Sequence, residues 1–250
     1  MVRIWIIPAI LILMTAGSVE LASAQEEKKW AVELEGGAVW MSRNEIRIPN
    51  ETGTDISTDG FLGYGLFRIG LAYDVNDRHG LRFVLASLGV RGTGGTFSET
   101  SNFAGETFEP DVPTDLEYGL GTLRFTYRYR FYEGPMWRWK IGFTGTVRGT
   151  FVSLEQPEKY REYSDVGFFP LAYIGGEARL SERWRFVLDF EGFAIPQERL
   201  LDLAAQLKYS ISNRWELTFG YRTIEAGMDR EEIFNSAWFN YAVGSIRFRF

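Results

Sequence analysis

Cysteine is absent from the 250 residues, so the chain has no disulfide framework and no thiolate metal site. Histidine is nearly absent: His79 is the one imidazole available to any chemistry that needs it. Positive charge is not in excess either. A net charge of −6 argues against a nucleic-acid binder. Beyond the first 24 residues, no run approaches the ~20 apolar residues of a membrane helix. The glycine-rich Arg91-Gly92-Thr93-Gly94-Gly95 lacks the lysine and following helix of a phosphate loop. Asp74-Val75-Asn76-Asp77 begins like a calcium loop but lacks the later glutamate. No metal and no cofactor is expected.

The first 24 residues are those of a secretory leader. Arg3 supplies the positive start, Ile4 to Met14 the apolar stretch, and Ala22-Ser23-Ala24 the small-residue cleavage pattern. Residues 25–250 are expected to form one domain.

What that domain is shows first in its last stretch. Phe250, Phe248 and Ile246 alternate with Arg249, Arg247 and Ser245, a period of two with aromatic groups on one face and charge on the other. A water-facing sheet would leave Phe248 and Phe250 in solvent. A membrane barrel puts that face in lipid and the arginines in its lumen. The stretch resembles the C-terminal strand of bacterial outer-membrane β-barrel proteins, which ends in Phe and serves as an assembly signal. The resemblance implies a bacterial outer-membrane location, with Phe248 and Phe250 as the signal. It implies outer-membrane lipid, lipopolysaccharide and the barrel-assembly machinery as partners.

The same alternation recurs along the chain. It predicts an all-β protein, a transmembrane antiparallel up-and-down β-barrel of ten strands, with eight as the alternative count. The expected strands are 30–42, 61–73, 81–90, 116–131, 137–151, a sixth ending at 180, then 184–193, 200–211, 215–224 and 238–250. Residues 116–131 alternate most cleanly, with Leu123, Phe125, Tyr127 and Tyr129 on one face and Thr122, Arg124, Thr126, Arg128 and Arg130 on the other. Residues 87–90 alternate poorly, which leaves the third strand's register open. Pro170 cannot donate to a ladder and predicts a bulge or a late start to pairing. Four short turns near 77, 134, 182 and 213 alternate with five longer acidic loops, including 44–60, 92–113, 155–165 and 225–236. Aromatics near the turns predict one interfacial girdle, and Trp40, Phe151, Tyr221 and Trp238 a second.

Inward positions carry the candidate functional groups. Arg124, Arg128, Arg130, Arg138, Lys140 and Arg148 form a lumenal basic cluster. A hairpin closed by Phe131 and Trp137 would set Arg130 opposite Arg138 and Arg128 opposite Lys140, like charges that need compensation from elsewhere. Glu33, Glu35, Glu177, Asp189, Glu191, Asp202 and Glu216 are the acidic partners. Such a lumen is either sealed by salt bridges or a narrow passage that favours a small anionic solute. The alternative function is a surface adhesin acting through the long loops. No enzyme is expected: outer-membrane proteases of ten strands use a histidine at the outer rim, whereas His79 falls in a turn at the opposite end.

Overall fold

The computed structural model describes residues 29–57 and 62–250. The predicted leader therefore lies outside the described residues, as does Phe61. The strands are β1 (Trp30–Arg47), β2 (Ile56–Ser57), β3 (Leu62–Asp74), β4 (His79–Gly95), β5 (Ser101–Phe103), β6 (Glu106–Phe108) and β7 (Thr114–Glu133). They continue with β8 (Trp137–Gln156), β9 (Lys159–Arg179), β10 (Trp184–Ile195), β11 (Glu198–Ser210), β12 (Trp215–Arg230) and β13 (Ile233–Arg249).

Ten long strands (all but β2, β5 and β6) pair antiparallel in chain order, and β13 pairs back with β1. The barrel is closed with ten strands rather than eight. Its seam runs from Ala31↔Arg249 to Arg47↔Phe234, and Trp30 and Phe250 exchange both backbone hydrogen bonds at 3.2 and 3.0 Å.

The wall is greasy on the outside. Leu34, Phe67, Leu123, Phe125, Phe143 and Phe219 all face away from the barrel and are exposed. Thirty-two large hydrophobic side chains among the described residues are exposed, most of them on this outer wall. Half-burying each would be worth on the order of 1 kcal/mol. Left in water, the belt would forfeit on the order of 30 kcal/mol, more than the ~5–15 kcal/mol that holds a typical domain folded. Hydrocarbon is the solvent this surface requires, and the barrel is transmembrane. At the end with the short turns, ring pairs frame the belt: Trp30–Tyr73 at 4.5 Å, Trp184–Tyr209 at 4.9 Å and Trp215–Phe248 at 4.6 Å. At the other end Trp40 and Tyr221 lie 6.2 Å apart. These are the two predicted girdles.

Strand length explains the rest. The 20 residues of β8 make roughly 65 Å of strand at ~3.3 Å per residue, well over what a hydrocarbon band ~25 Å tall requires. The loop half therefore stands clear of lipid, and there the polarity inverts. Along β7 the outward face changes from Phe125 and Leu123 to Glu117 and Asp115, while the inward face changes from Arg124 and Thr122 to Leu120, Tyr118 and Leu116. With water on the outside, the inside becomes the apolar place.

Several expectations change. The predicted loops at 155–165 and 225–236 are mostly strand, ended by two-residue turns at 157–158 and 231–232. Charged outward residues hid the alternation there. Register shifts between Met41 and Arg43, so Arg43 turns to solvent and pairs with Glu45 instead of facing inward. The β7–β8 register is two residues off the predicted one beyond a shift at Arg130/Tyr132: Arg130 opposes Lys140 and Arg128 opposes Gly142. Glu133 accounts for it by pairing with both Arg138 at 2.8 Å and Arg130 at 3.1 Å. Pro170 lies inside β9, paired with Gly145 on β8 without a shift. Its other edge is free, because the β9–β10 ladder ends at Ala172↔Gly192. That is where a residue without an N–H is tolerated.

Candidate functional site: a barrel interior in three levels

The uppermost level is an apolar cap. The segment 96–113 is not a solvated arm but folds back over the loop end of the barrel. Its β5–β6 hairpin buries Phe103 and Phe108 completely, 6.4 Å apart edge to face. Below them pack Val90, Leu116, Tyr118, Leu154 and Phe239, also fully buried or nearly so. Ile46, Ile48 and Ile56, from the segment predicted as the first long loop, join the same core. The hairpin turns on Ala104 (φ 52°) and Gly105 (φ 79°), the two positive φ values that a tight two-residue hairpin requires. Ala104 is held there by Ile48, whose carbonyl accepts its N–H at 2.8 Å, and by Arg161, which donates to the Ala104 carbonyl at 3.0 Å. The poor alternation of 87–90 now has its reason. Leu88 and Val90 point into this core, so both faces of β4 carry apolar or small residues there.

Arg148 lies at the edge of the cap. It faces inward as predicted, but its guanidinium stacks 4.3 Å over the Phe169 ring, and among the described residues no carboxylate lies within 4 Å of it. It is no part of a shared basic cluster.

The middle level is an ion-pair lattice of four guanidiniums and four carboxylates. Arg124 donates through one nitrogen to Glu191 and Asp202, both at 2.6 Å. Arg222 reaches Asp202 at 2.6 Å and Glu35 at 3.2 Å. Arg68 reaches Glu35 at 3.2 Å and Asp202 at 3.4 Å. Arg82 spans Asp189 at 2.9 Å and Glu191 at 2.7 Å. Thr126 and Thr144 both donate to Glu191, Gln206 donates to Glu35, and Tyr173 donates to Asp189 at 3.1 Å. Gly175 makes room for that tyrosine: a Cβ there would sit 2.2 Å from its hydroxyl. The eight charged groups come from β1, β3, β4, β7, β10, β11 and β12, so the lattice bridges the barrel from wall to wall. Its formal charge is zero, as burial demands. Four of the predicted acids, Glu35, Asp189, Glu191 and Asp202, meet here, but of the predicted basic cluster only Arg124 does. The other three arginines, Arg68, Arg82 and Arg222, were not in that cluster. Parity with Glu216 on β12 was the signal for Arg222.

The lowest level is a cavity of about 1600 Å³ at the turn end, with the lattice as its inner wall. Fifteen basic and eight acidic side chains line it, an excess of seven positive charges in a chain whose net is −6. Arg128 and Lys140 face into it. Arg130 and Arg138 stand at its rim on Glu133, and Arg130 also donates to the Asp77 carbonyl. The remaining predicted acids are here. Glu216 holds Arg185, Arg249 at 3.4 Å, Arg247 at 3.9 Å and Lys208 at 4.0 Å. Glu33 accepts from Ser245 at 2.6 Å, and Glu177 lies 3.5 Å from Arg185. The six predicted cations therefore divide among lattice, cavity, rim and cap. His79 opens β4 on the outer face at this end, 2.7 Å from the Tyr127 hydroxyl. Among the described residues no group of three or more His, Asp or Glu could hold a metal ion.

No protein-family model and no curated sequence matches the chain. Solved structures do. The outer membrane protease OmpT from Escherichia coli superposes with a TM-score of 0.58 at 9% identity, over 93% of this chain and 100% of that one. The transport unit of the autotransporter AIDA-I from Escherichia coli gives 0.45 at 7% identity over 92% and 93%. Ail, the attachment invasion locus protein of Yersinia pestis, gives 0.42 at 9% over 87% and 99%. The first likeness corrects one expectation. A protease shares the fold over its whole length, so this architecture does not license the exclusion of an enzyme. What the chain shares with that outer membrane protease is the closed β-barrel fold.

Proposed function

We propose that the chain is a bacterial outer-membrane barrel that seals its own lumen, a membrane-embedded scaffold and not a solute channel. One observation carries this reading: two barriers of opposite chemistry lie in series between the loop end and the turn end. An ion crossing the apolar cap would lose its hydration with nothing offered in return. A solute crossing the lattice would have to part guanidinium–carboxylate pairs that each leave an uncompensated charge behind. The likeness to outer-membrane barrels and the lipid-facing belt support the location, with outer-membrane lipid and lipopolysaccharide around the wall. Phe248 and Phe250, on the strand that closes the seam, are proposed as the signal read by the assembly machinery; removing Phe250 should slow insertion into the membrane in an assembly assay.

The test of the sealed lumen is electrical. Purified barrel inserted in planar bilayers should show no conductance steps. Regular ion-selective steps from the native protein would defeat the proposal. The adhesin reading finds less support, because the segments 44–60 and 92–113 spend Ile46, Ile48, Ile56, Phe103 and Phe108 on the cap instead of presenting them outward.

A further inference from the structure

The sealed lumen leaves the turn-end cavity as a blind vestibule, open on one side only. Resting on that reading, we propose that the vestibule is a binding site for a multiply charged phosphate-class oxyanion, entering from the turn end, which faces the periplasm in an outer-membrane barrel.

Charge accounting separates this vestibule from the lattice above it. The lattice is balanced, four against four. The vestibule is not. Glu216 alone answers four cations, Arg185, Lys208, Arg247 and Arg249. Glu33 and Glu177 add two carboxylates to that group. Lys140 has no carboxylate within 4 Å among the described residues. Arg128 reaches only the Leu81 carbonyl at 3.3 Å and Asp74 at 4.0 Å, and its Nε is buried without a partner. The six inner cations thus face four carboxylates, Asp74 included, a surplus of two.

Such a surplus within one low-dielectric wall is self-repelling unless an anion shares the space. A monocarboxylate would neutralise half of it. A phosphate or polyphosphate group carries enough charge to cover the surplus and has the oxygens to accept from several N–H groups at once. The volume of about 1600 Å³ is ample for such a group with an organic substituent attached. The phosphate has two possible sources, a soluble phosphate ester or the headgroup of an anionic phospholipid drawn in past the rim arginines.

The experiment uses the full barrel in phosphatidylcholine nanodiscs, with inorganic tripolyphosphate as the probe in titration calorimetry at low salt. The expected result is one saturable site, weakened about tenfold by Lys140→Gln and about tenfold again when Arg128→Gln is added. Arg43→Gln, exposed at the loop end, should leave the affinity unchanged. Lys140 makes no ion pair, so its variant tests the site without threatening the fold; intact far-UV circular dichroism verifies this. No saturable binding, or binding that Lys140→Gln leaves intact, overturns the proposal. Phosphatidylglycerol in the nanodisc distinguishes the sources: competition with tripolyphosphate identifies a lipid headgroup, and undiminished binding a soluble ester. Because conductance is recorded separately, a leaky barrel that still binds would defeat the sealed lumen alone, and a silent barrel that does not bind would defeat the vestibule site alone.

Discussion

Arg124 on β7 donates to Asp202 on β11 at 2.6 Å, joining strands that are not neighbours in the wall. Arg124 is 1% exposed and Asp202 2%. No ladder hydrogen bond links these strands, so the contact is purely a cross-lumen one. It makes the barrel a filled cylinder, braced from inside.

Replacing either end of that brace strands the other charge. Arg124→Ala leaves Glu191 and Asp202 short of a shared donor, and Asp202→Ala leaves three guanidiniums short of an acceptor. Each should lower stability by about 3–5 kcal/mol, measured as urea unfolding in detergent micelles. The double variant should cost less than the sum, because the pair is coupled. Full additivity would mean that the pair contributes no coupling.

Two seals in series make a conductance prediction that one seal would not. Phe103→Ser with Phe108→Ser should loosen the cap yet leave the bilayer current silent, because the lattice still blocks. Arg124→Ala with Asp202→Ala should also be silent, because the cap still blocks. The four changes together should produce steps. Steps from either pair alone would show that one barrier carries the whole closure.

The cap hairpin holds an alanine where glycine is easier. Ala104 sits at φ 52°, a left-handed conformation that costs a residue with a Cβ about 1 kcal/mol. Ala104→Gly should therefore hold or raise the thermal midpoint despite the added freedom of the unfolded chain, and Ala104→Val should lower it. A midpoint that falls with glycine would contradict the strain argument.

Pairing lapses between β9 and β10 toward the loop end. Above Ala172↔Gly192, β9 keeps only its β8 partner, and Pro170 supplies no donor to the other side. Amide exchange should be faster at 193–195 and along the free edge of β9 than along the β7–β8 ladder, which runs unbroken from Asp115↔Glu155 to Arg130↔Lys140. Uniform protection around the barrel would refute this.

The sequence by itself determined the closed membrane barrel, because a period of two decides which side chains meet lipid. Phe125 and Arg124 cannot exchange faces without a one-residue slip of the whole strand. It also held a signal for the cap, since Leu120, Tyr118 and Leu116 continue the inward face of Arg124, but that signal has meaning only once the strand is known to rise above the membrane. Tertiary structure alone decided which inward charges meet. Alternation gives a side chain its direction. Its partner across the lumen depends on closure, on strand stagger and on shifts such as the one at Arg130/Tyr132. That is why six cations predicted as one cluster divide among four places, and why Arg68, Arg82 and Arg222 complete the lattice with Arg124.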